Sequence, residues 1–495
     1  MRRQLLRVVA ATSLAGPTAL AFFTGGYFQG PRVWAGAVAW ACVLVLVMLG
    51  ARLPGGRWVW LALGGLAALA AWSLASIAWA KVAGDAYASA QIVILYTGAL
   101  AAAALALREA SIRRFVEPVL ALGATVVIGY GLAGRLLPGI LHYARSLSAQ
   151  GRLEQPLTYW NAMGELAALG FVLCARLAGD DSRPRPVRAL AAAAAAPLGL
   201  GLYASFSRGA LFAVVAGLIA LIALIPRREQ LAGLAVSVVA GGIAAGAISP
   251  LHGVTSLSGS LAHREHQGVL ALVVLVVVMA TAAACQLVVT GRARSGLLPG
   301  SALVDHRGAI ATILICGGLA VAIVVGAHES SGASQNLASG ANRLVTFRSN
   351  RFDYWHVALR AFSQEPLHGV GAGNWQLYWL RWRTITEFAT DAHSLPLQTL
   401  AELGIVGALA LAAFLIGLVG SAWRGLRQGP ACAGAVAALV TYFVHAPLDW
   451  DWEMPAVTLV AIVLGGLVIA AAGDDRNAAD GEVTTAPPQF AAPRD

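Results

Sequence analysis

The sequence predicts an all-α polytopic membrane protein with about 14 transmembrane helices and one long helical extracytoplasmic loop. Three observations predict it. The 495 residues are 58% hydrophobic and only 12% charged, against roughly 25% charged in a soluble domain. Apolar runs recur from one end of the chain to the other, and about 20 apolar residues are enough to cross the hydrocarbon core. The arginines collect in alternate connections between those runs, which is the charge asymmetry of a chain threaded through a membrane.

The runs lie at 7–26, 33–51, 58–80, 88–107, 116–137, 157–175, 189–206, 209–226, 231–249, 269–290, 308–327, 396–423, 431–447 and 455–473. The first has the Arg-rich head of a signal peptide, with Ala19-Leu20-Ala21 as a small-residue site. Its apolar stretch continues through Phe22 and Phe23, so it reads as an uncleaved first span. With the N-terminus inside, the inner connections hold Arg2, Arg3 and Arg7, then Arg52 and Arg57, then Arg108, Arg113 and Arg114. Arg176 to Arg188, Arg227 with Arg228, Arg292 to Arg307, and Arg424 with Arg427 continue the series. This orientation puts both termini on the inner side of the cytoplasmic (inner) membrane. All of the 10 histidines except His306 then fall on the outer half. The division is 1–326 for transmembrane helices 1–11, 327–395 for the extracytoplasmic loop, 396–473 for helices 12–14, and 474–495 for a cytoplasmic tail too polar to pack.

Composition also excludes. The net charge of +10 would suggest nucleic acid in a soluble protein, but here it is topology signal. The 5 cysteines all lie in apolar runs, none in a C-x-x-C pair, and read as small core residues. Inner connections are short and basic and carry no nucleotide-binding pattern. Chemistry is therefore expected at the outer face, among membrane lipids.

Within the long loop, "SNRFDYWHVALRAFSQEP" runs from cap residues Ser349 and Asn350 to Pro366. Phe352, Trp355, Leu359 and Phe362 recur at helical spacing, so an amphipathic helix with that apolar face is expected. "NWQLYWLRWRTI" places Trp375, Trp379 and Trp382 together, which suits a second helix lying among lipid headgroups. "GVGAGNW" between them reads as a flexible turn; it has no preceding strand to make it a nucleotide loop.

Several polar residues stand out against this apolar background. "SFSRGALF" pins Arg208 in a tight turn between two uncharged spans. An arginine at that depth is costly and is usually paired or functional. Its planar fork of donors fits phosphate oxygens and keeps its proton; a phosphate at the outer leaflet belongs to a lipid, such as a polyprenyl diphosphate. Arg351 opens the first loop helix, with Arg343 and Arg348 close by, and could converge with Arg208 on one diphosphate. "DAHSLPLQTLAELGIVG" puts His393 where the loop re-enters the membrane, and histidine can accept a proton near neutral pH. Asp391 is its neighbour and Glu402 lies further in, either as a buried partner or as a structural residue. "DWDWE", Asp449 to Glu453, has Asp-x-Asp spacing that can hold a divalent ion but reads mainly as structural or acceptor-binding.

In order and spacing, "SRGA", "NRFDYW", "PLHGVGAGNW" and "AHSLPLQTLAELGIVG" resemble the O-antigen ligase family, with its related polymerases and protein O-oligosaccharyltransferases. The resemblance is most specific from Ser205 to Gly407. "GRLEQPLTYWNAMG" is similar to the family's asparagine-bearing segment and singles out Asn161. Two departures stand out: "AHS" where "AHN" is commoner, and more spans than the ligases usually show. The resemblance implies a membrane glycosyltransferase of the C-type fold, working without nucleotide sugar, cofactor or metal. Its donor would be an undecaprenyl-diphosphate-linked glycan and its acceptor a glycan, lipid or protein, in cell-surface polysaccharide biosynthesis. It assigns Arg208 and Arg351 to the diphosphate and His393 to the reaction centre, with Arg348, Glu402, Asp391 and Asn161 as support. The rival class is a lipid-linked glycan flippase or transporter, which needs charge along a path through the spans rather than at one face.

Overall fold

The computed structural model describes residues 2–292 and 350–473. Every apolar run expected among these residues forms a helix. They are α1 (Arg2–Ala21), α2 (Gln29–Met48), α3 (Arg57–Ala75), α4 (Ala83–Ala106), α5 (Val116–Leu136), α6 (Trp160–Gly179), α7 (Arg185–Ala204), α8 (Arg208–Leu224), α9 (Arg228–Ile248) and α10 (Leu261–Arg292). The loop contributes α11 (Arg351–Gln364) and α12 (Trp375–Trp382), and α13 (Leu395–Gln428), α14 (Ala433–His445) and α15 (Pro455–Ala472) follow. No strand occurs among the described residues. Among the described residues ten helices are long and apolar enough to cross a membrane, and Arg208–Leu224 and Pro430–His445 are shorter apolar helices. The expected run at 308–327, the first part of the loop with Arg343 and Arg348, and the tail from 474 onward lie outside the described residues.

Lipid offers no hydrogen bonds, so an apolar segment must satisfy its backbone internally, and the helix does so. The central post is α6, whose residues from Asn161 to Gly179 are all buried. It is apolar on nearly every face and keeps no side for solvent or lipid. Helices α5, α7, α8, α9 and α14 pack around it. A second group sets α3 along α13, and α4 against α2, α3 and α15. On the periphery, Val269, Val273, Val276 and Val277 of α10 and Leu409 and Ile416 of α13 stay exposed, as a lipid-facing stripe requires.

The run at 396–423 is broken. Gly404 of α13 sits at φ +63°, and a Cβ there would lie 2.3 Å from the Leu367 carbonyl oxygen. Only glycine allows this left-handed conformation and this approach together. The loop backbone fills the gap. Ile405 N–H donates to Pro366 at 2.9 Å, Val370 N–H to Ala401 at 3.0 Å, and Gly371 N–H to Glu402 at 2.8 Å. Trp72 Nε1 donates to the freed Leu403 carbonyl at 3.0 Å. Broken helices are tolerated at such depth only where neighbours take up the freed groups.

This docking corrects three expectations about the loop. "GVGAGNW" is a turn, as expected, but it is fixed by those bonds rather than flexible. Asn374 adds to them by accepting from Val82 N–H at 2.8 Å. Trp375 and Trp379 do not lie among headgroups: both are fully buried, their rings stacked at 5.7 Å. The buried face of α11 is Tyr354, Val357, Ala358 and Ala361, not Phe352, Trp355, Leu359 and Phe362. The small Ala358 and Ala361 let α11 lie close on α13, while of the larger stripe Phe352, Trp355 and Phe362 are only partly buried and Leu359 is half exposed.

Candidate active site

Arg208 is the first residue of α8. Ser207 caps the helix by accepting from Ala210 N–H at 3.3 Å, and Ser205 Oγ accepts from Ser207 N–H at 3.2 Å. Phe206 adopts φ +47° and is buried. A left-handed phenylalanine persists only where its surroundings over-determine it. The turn is therefore a rigid mount for the arginine, which is itself half-buried.

The site is organised by a residue that sequence reasoning did not place, Asp449. It follows α14 in the turn before α15 and has no side-chain exposure. Its carboxylate accepts from Tyr159 OH at 2.6 Å and from Asn161 Nδ2 at 2.7 Å. The guanidinium of Arg351 forms an ion pair with the same group. Burial alone would push the Asp449 carboxyl up, but the charges of Arg351, His393 and His445 outweigh it and hold it below the usual carboxylate range. Four parts of the chain thus converge on one carboxylate: α6 through Asn161, α11 through Arg351, the loop end through His393, and α14 through His445.

His393 sits at φ +52°, a second strained residue at this end of the bundle. Its ring lies 5.0 Å from that of Tyr354 and 6.0 Å from that of Trp450. Nδ1 is 2.9 Å from the Asp391 carbonyl oxygen. A carbonyl can only accept, so Nδ1 carries a proton, and it is Nε2 that gains or loses the second one. The Asp391 side chain is occupied by Thr390 Oγ1 at 2.5 Å and Gln398 Nε2 at 3.2 Å. Asp391 therefore steers His393 through its backbone.

Glu402 stands apart from that group in what it does. Its two oxygens accept from Gly373 N–H at 2.8 Å and Trp375 N–H at 3.3 Å. It holds the N-terminus of α12 by taking up two of its otherwise unpaired N–H groups, and so supports the loop rather than the acceptor. Arg348 lies outside the described residues. Among the described residues no group of three or more His, Cys, Asp and Glu side chains could hold a metal ion. The two aspartates of "DWDWE" diverge: Asp449 meets Arg351, and Asp451 Oδ2 lies 2.5 Å from His445 Nδ1.

The arrangement offers fixed cations, an imidazole that can exchange a proton at Nε2, and a buried carboxylate that neutralises one cation. No curated protein matches the chain. Residues 193–412, from α7 into α13, match the family model described as O-antigen ligase.

Proposed function

We propose that the chain is an O-antigen ligase-like glycosyltransferase that moves a glycan from undecaprenyl diphosphate to an acceptor at the outer face of the cytoplasmic membrane. The observation that carries the reading is the meeting of Arg351 and His393 around Asp449, at the end of the bundle that also carries Arg208. The reading includes both termini inside, a further span at 308–327 that brings the count to fourteen, and the division at 326, 395 and 473.

In the reaction, an acceptor hydroxyl oxygen attacks the anomeric carbon of the donor sugar. The bond from that carbon to the diphosphate oxygen breaks, and its electron pair leaves with the diphosphate. His393 Nε2 takes the hydroxyl proton. Arg208 and Arg351 face the charge that grows on the leaving group, and fixed cations lower a barrier where charge develops. Before donor arrives, Asp449 neutralises Arg351. The diphosphate competes with it for the guanidinium, so the site holds its cation ready without leaving it bare.

The flippase reading fits less well. Arg208, Arg351, His393, Asp449 and Asp451 cluster at one end instead of marking a path through the spans. Reconstitution separates the two. The purified protein in liposomes, given undecaprenyl-diphosphate-linked glycan and a candidate acceptor, is expected to release undecaprenyl diphosphate in step with glycan transfer. Movement of intact donor between leaflets without cleavage would make it a flippase.

A further inference from the structure

The second aspartate of "DWDWE" and the histidine it holds have no part in the chemistry above, yet both are fully buried. His445, at the end of α14, has no exposed surface. Its Nδ1 is 2.5 Å from Asp451 Oδ2 and 3.8 Å from Glu165 Oε2. Neither Glu165 oxygen has a hydrogen-bond partner among the described residues, nor has His445 Nε2. Burying three ionisable side chains is costly and is offset only where they hold one another in place.

The other edge of the imidazole is the informative one. A Cβ at Gly209 would lie 2.9 Å from both Cδ2 and Nε2 of His445. Gly209 is the residue after Arg208, in the first turn of α8. The Cδ2–Nε2 edge of the histidine therefore abuts the backbone that carries the arginine, and glycine is what lets it come so close. Helix α6 packs on the same turn: a Cβ at Gly164 would lie 2.7 Å from Ser205 Oγ. The Arg208 turn is thus held against both α6 and an imidazole.

Asp451 fixes that imidazole, and Asp451 stands two residues from Asp449, which fixes Arg351. One short turn after α14 thus reaches both arginines, Arg351 directly and Arg208 through His445 and Gly209. We propose that His445 and Asp451 are positioning residues that set the place of Arg208 and its spacing from Arg351. This rests on the glycosyl-transfer reading, but its geometry can be tested apart from activity.

The first measurement needs no substrate. Arg208→Cys, in a chain whose native cysteines are replaced, is labelled in detergent with a thiol reagent, with and without His445→Gln. The labelling rate is expected to change at least severalfold, while a cysteine at Ser182 reacts unchanged. Equal rates at position 208 in both backgrounds would overturn the proposal, whatever the enzyme's activity. The second measurement is a mutant cycle on transfer rate. His445→Gln and Asp451→Asn should each lower kcat by roughly tenfold, with acceptor KM unchanged. His445→Gln should cost less than about twofold when added to Arg208→Lys, because the placement it protects is already spoiled. Full additivity would mean a merely structural role. Gly209→Ala pushes on the imidazole from the other side and leaves the His445–Asp451 pair chemically intact. It should reproduce the kcat loss in protein that still elutes as a single folded species; unchanged kcat there would count against the proposal.

Discussion

Asp449→Ala is expected to give the largest loss of any single change at this site, in stability and in transfer together. The carboxylate is fully buried and serves Arg351, Tyr159 and Asn161 at once. Removing one partner of a buried ion pair costs about 3–5 kcal/mol, because the other charge is left uncompensated. Asp449→Asn keeps an acceptor oxygen and should lose less. The double variant Asp449→Ala with Arg351→Met should recover part of the stability lost in Asp449→Ala, since no cation is then stranded. Thermal unfolding in detergent measures all three. The pH dependence has a definite sign. Asp449 is held below the usual carboxylate range, so its contribution is present above the unfolded-state value of about 3.9. That contribution fades as pH falls through the lower folded value. Wild type and Asp449→Asn should therefore differ in stability at neutral pH and converge in strong acid. A constant difference down to the lowest pH would contradict the ion pair.

Arg208→Lys is expected to slow transfer by roughly tenfold to a hundredfold while the protein still inserts and folds. Lysine keeps the charge but loses the two-pronged geometry that matches phosphate oxygens. A hydrogen bond to a charged group contributes about 1.5–3 kcal/mol, and each 1.36 kcal/mol on a barrier is tenfold in rate. The effect should fall on the rate with the anchoring turn unchanged, since the Ser205 and Ser207 bonds involve no Arg208 side-chain atom. Normal transfer by Arg208→Ala would remove the arginine from the diphosphate.

Much of this was legible in the sequence, for reasons that can be named. The spans were, because about 20 apolar residues leave a strong signal; each expected run among the described residues is a helix. Arg208, Arg351, His393 and Asn161 stood out as candidates, because each is a polar residue set against an apolar background or matches an ordered motif, and three of them, Arg351, His393 and Asn161, gather around Asp449. Asp449 was seen only as part of an acidic turn. Its partner Arg351 is almost a hundred residues away in sequence, and no local pattern tells which charge a buried carboxylate will meet. The break in α13 was hidden for a similar reason. A glycine within an apolar run reads as helix, and what opens the run at Gly404 is the loop backbone arriving at Leu367 and Gly369. The face of α11 was misread because size was taken as the guide. Close packing on α13 selected Ala358 and Ala361 over the bulkier stripe.

The central claim is a division of labour: Arg351 holds the donor diphosphate and His393 takes the acceptor proton. The measurement that tests it most directly is donor binding and single-turnover transfer, taken separately, in Arg351→Ala and His393→Ala. Arg351→Ala should bind undecaprenyl-diphosphate-linked glycan poorly, because its contact exists in the ground state as well as the transition state. His393→Ala should bind donor like the wild type, transfer slowly, and lose the acid limb of its pH–rate profile. Loss of donor binding in His393→Ala, with that limb unchanged, would make His393 a phosphate ligand and contradict the account.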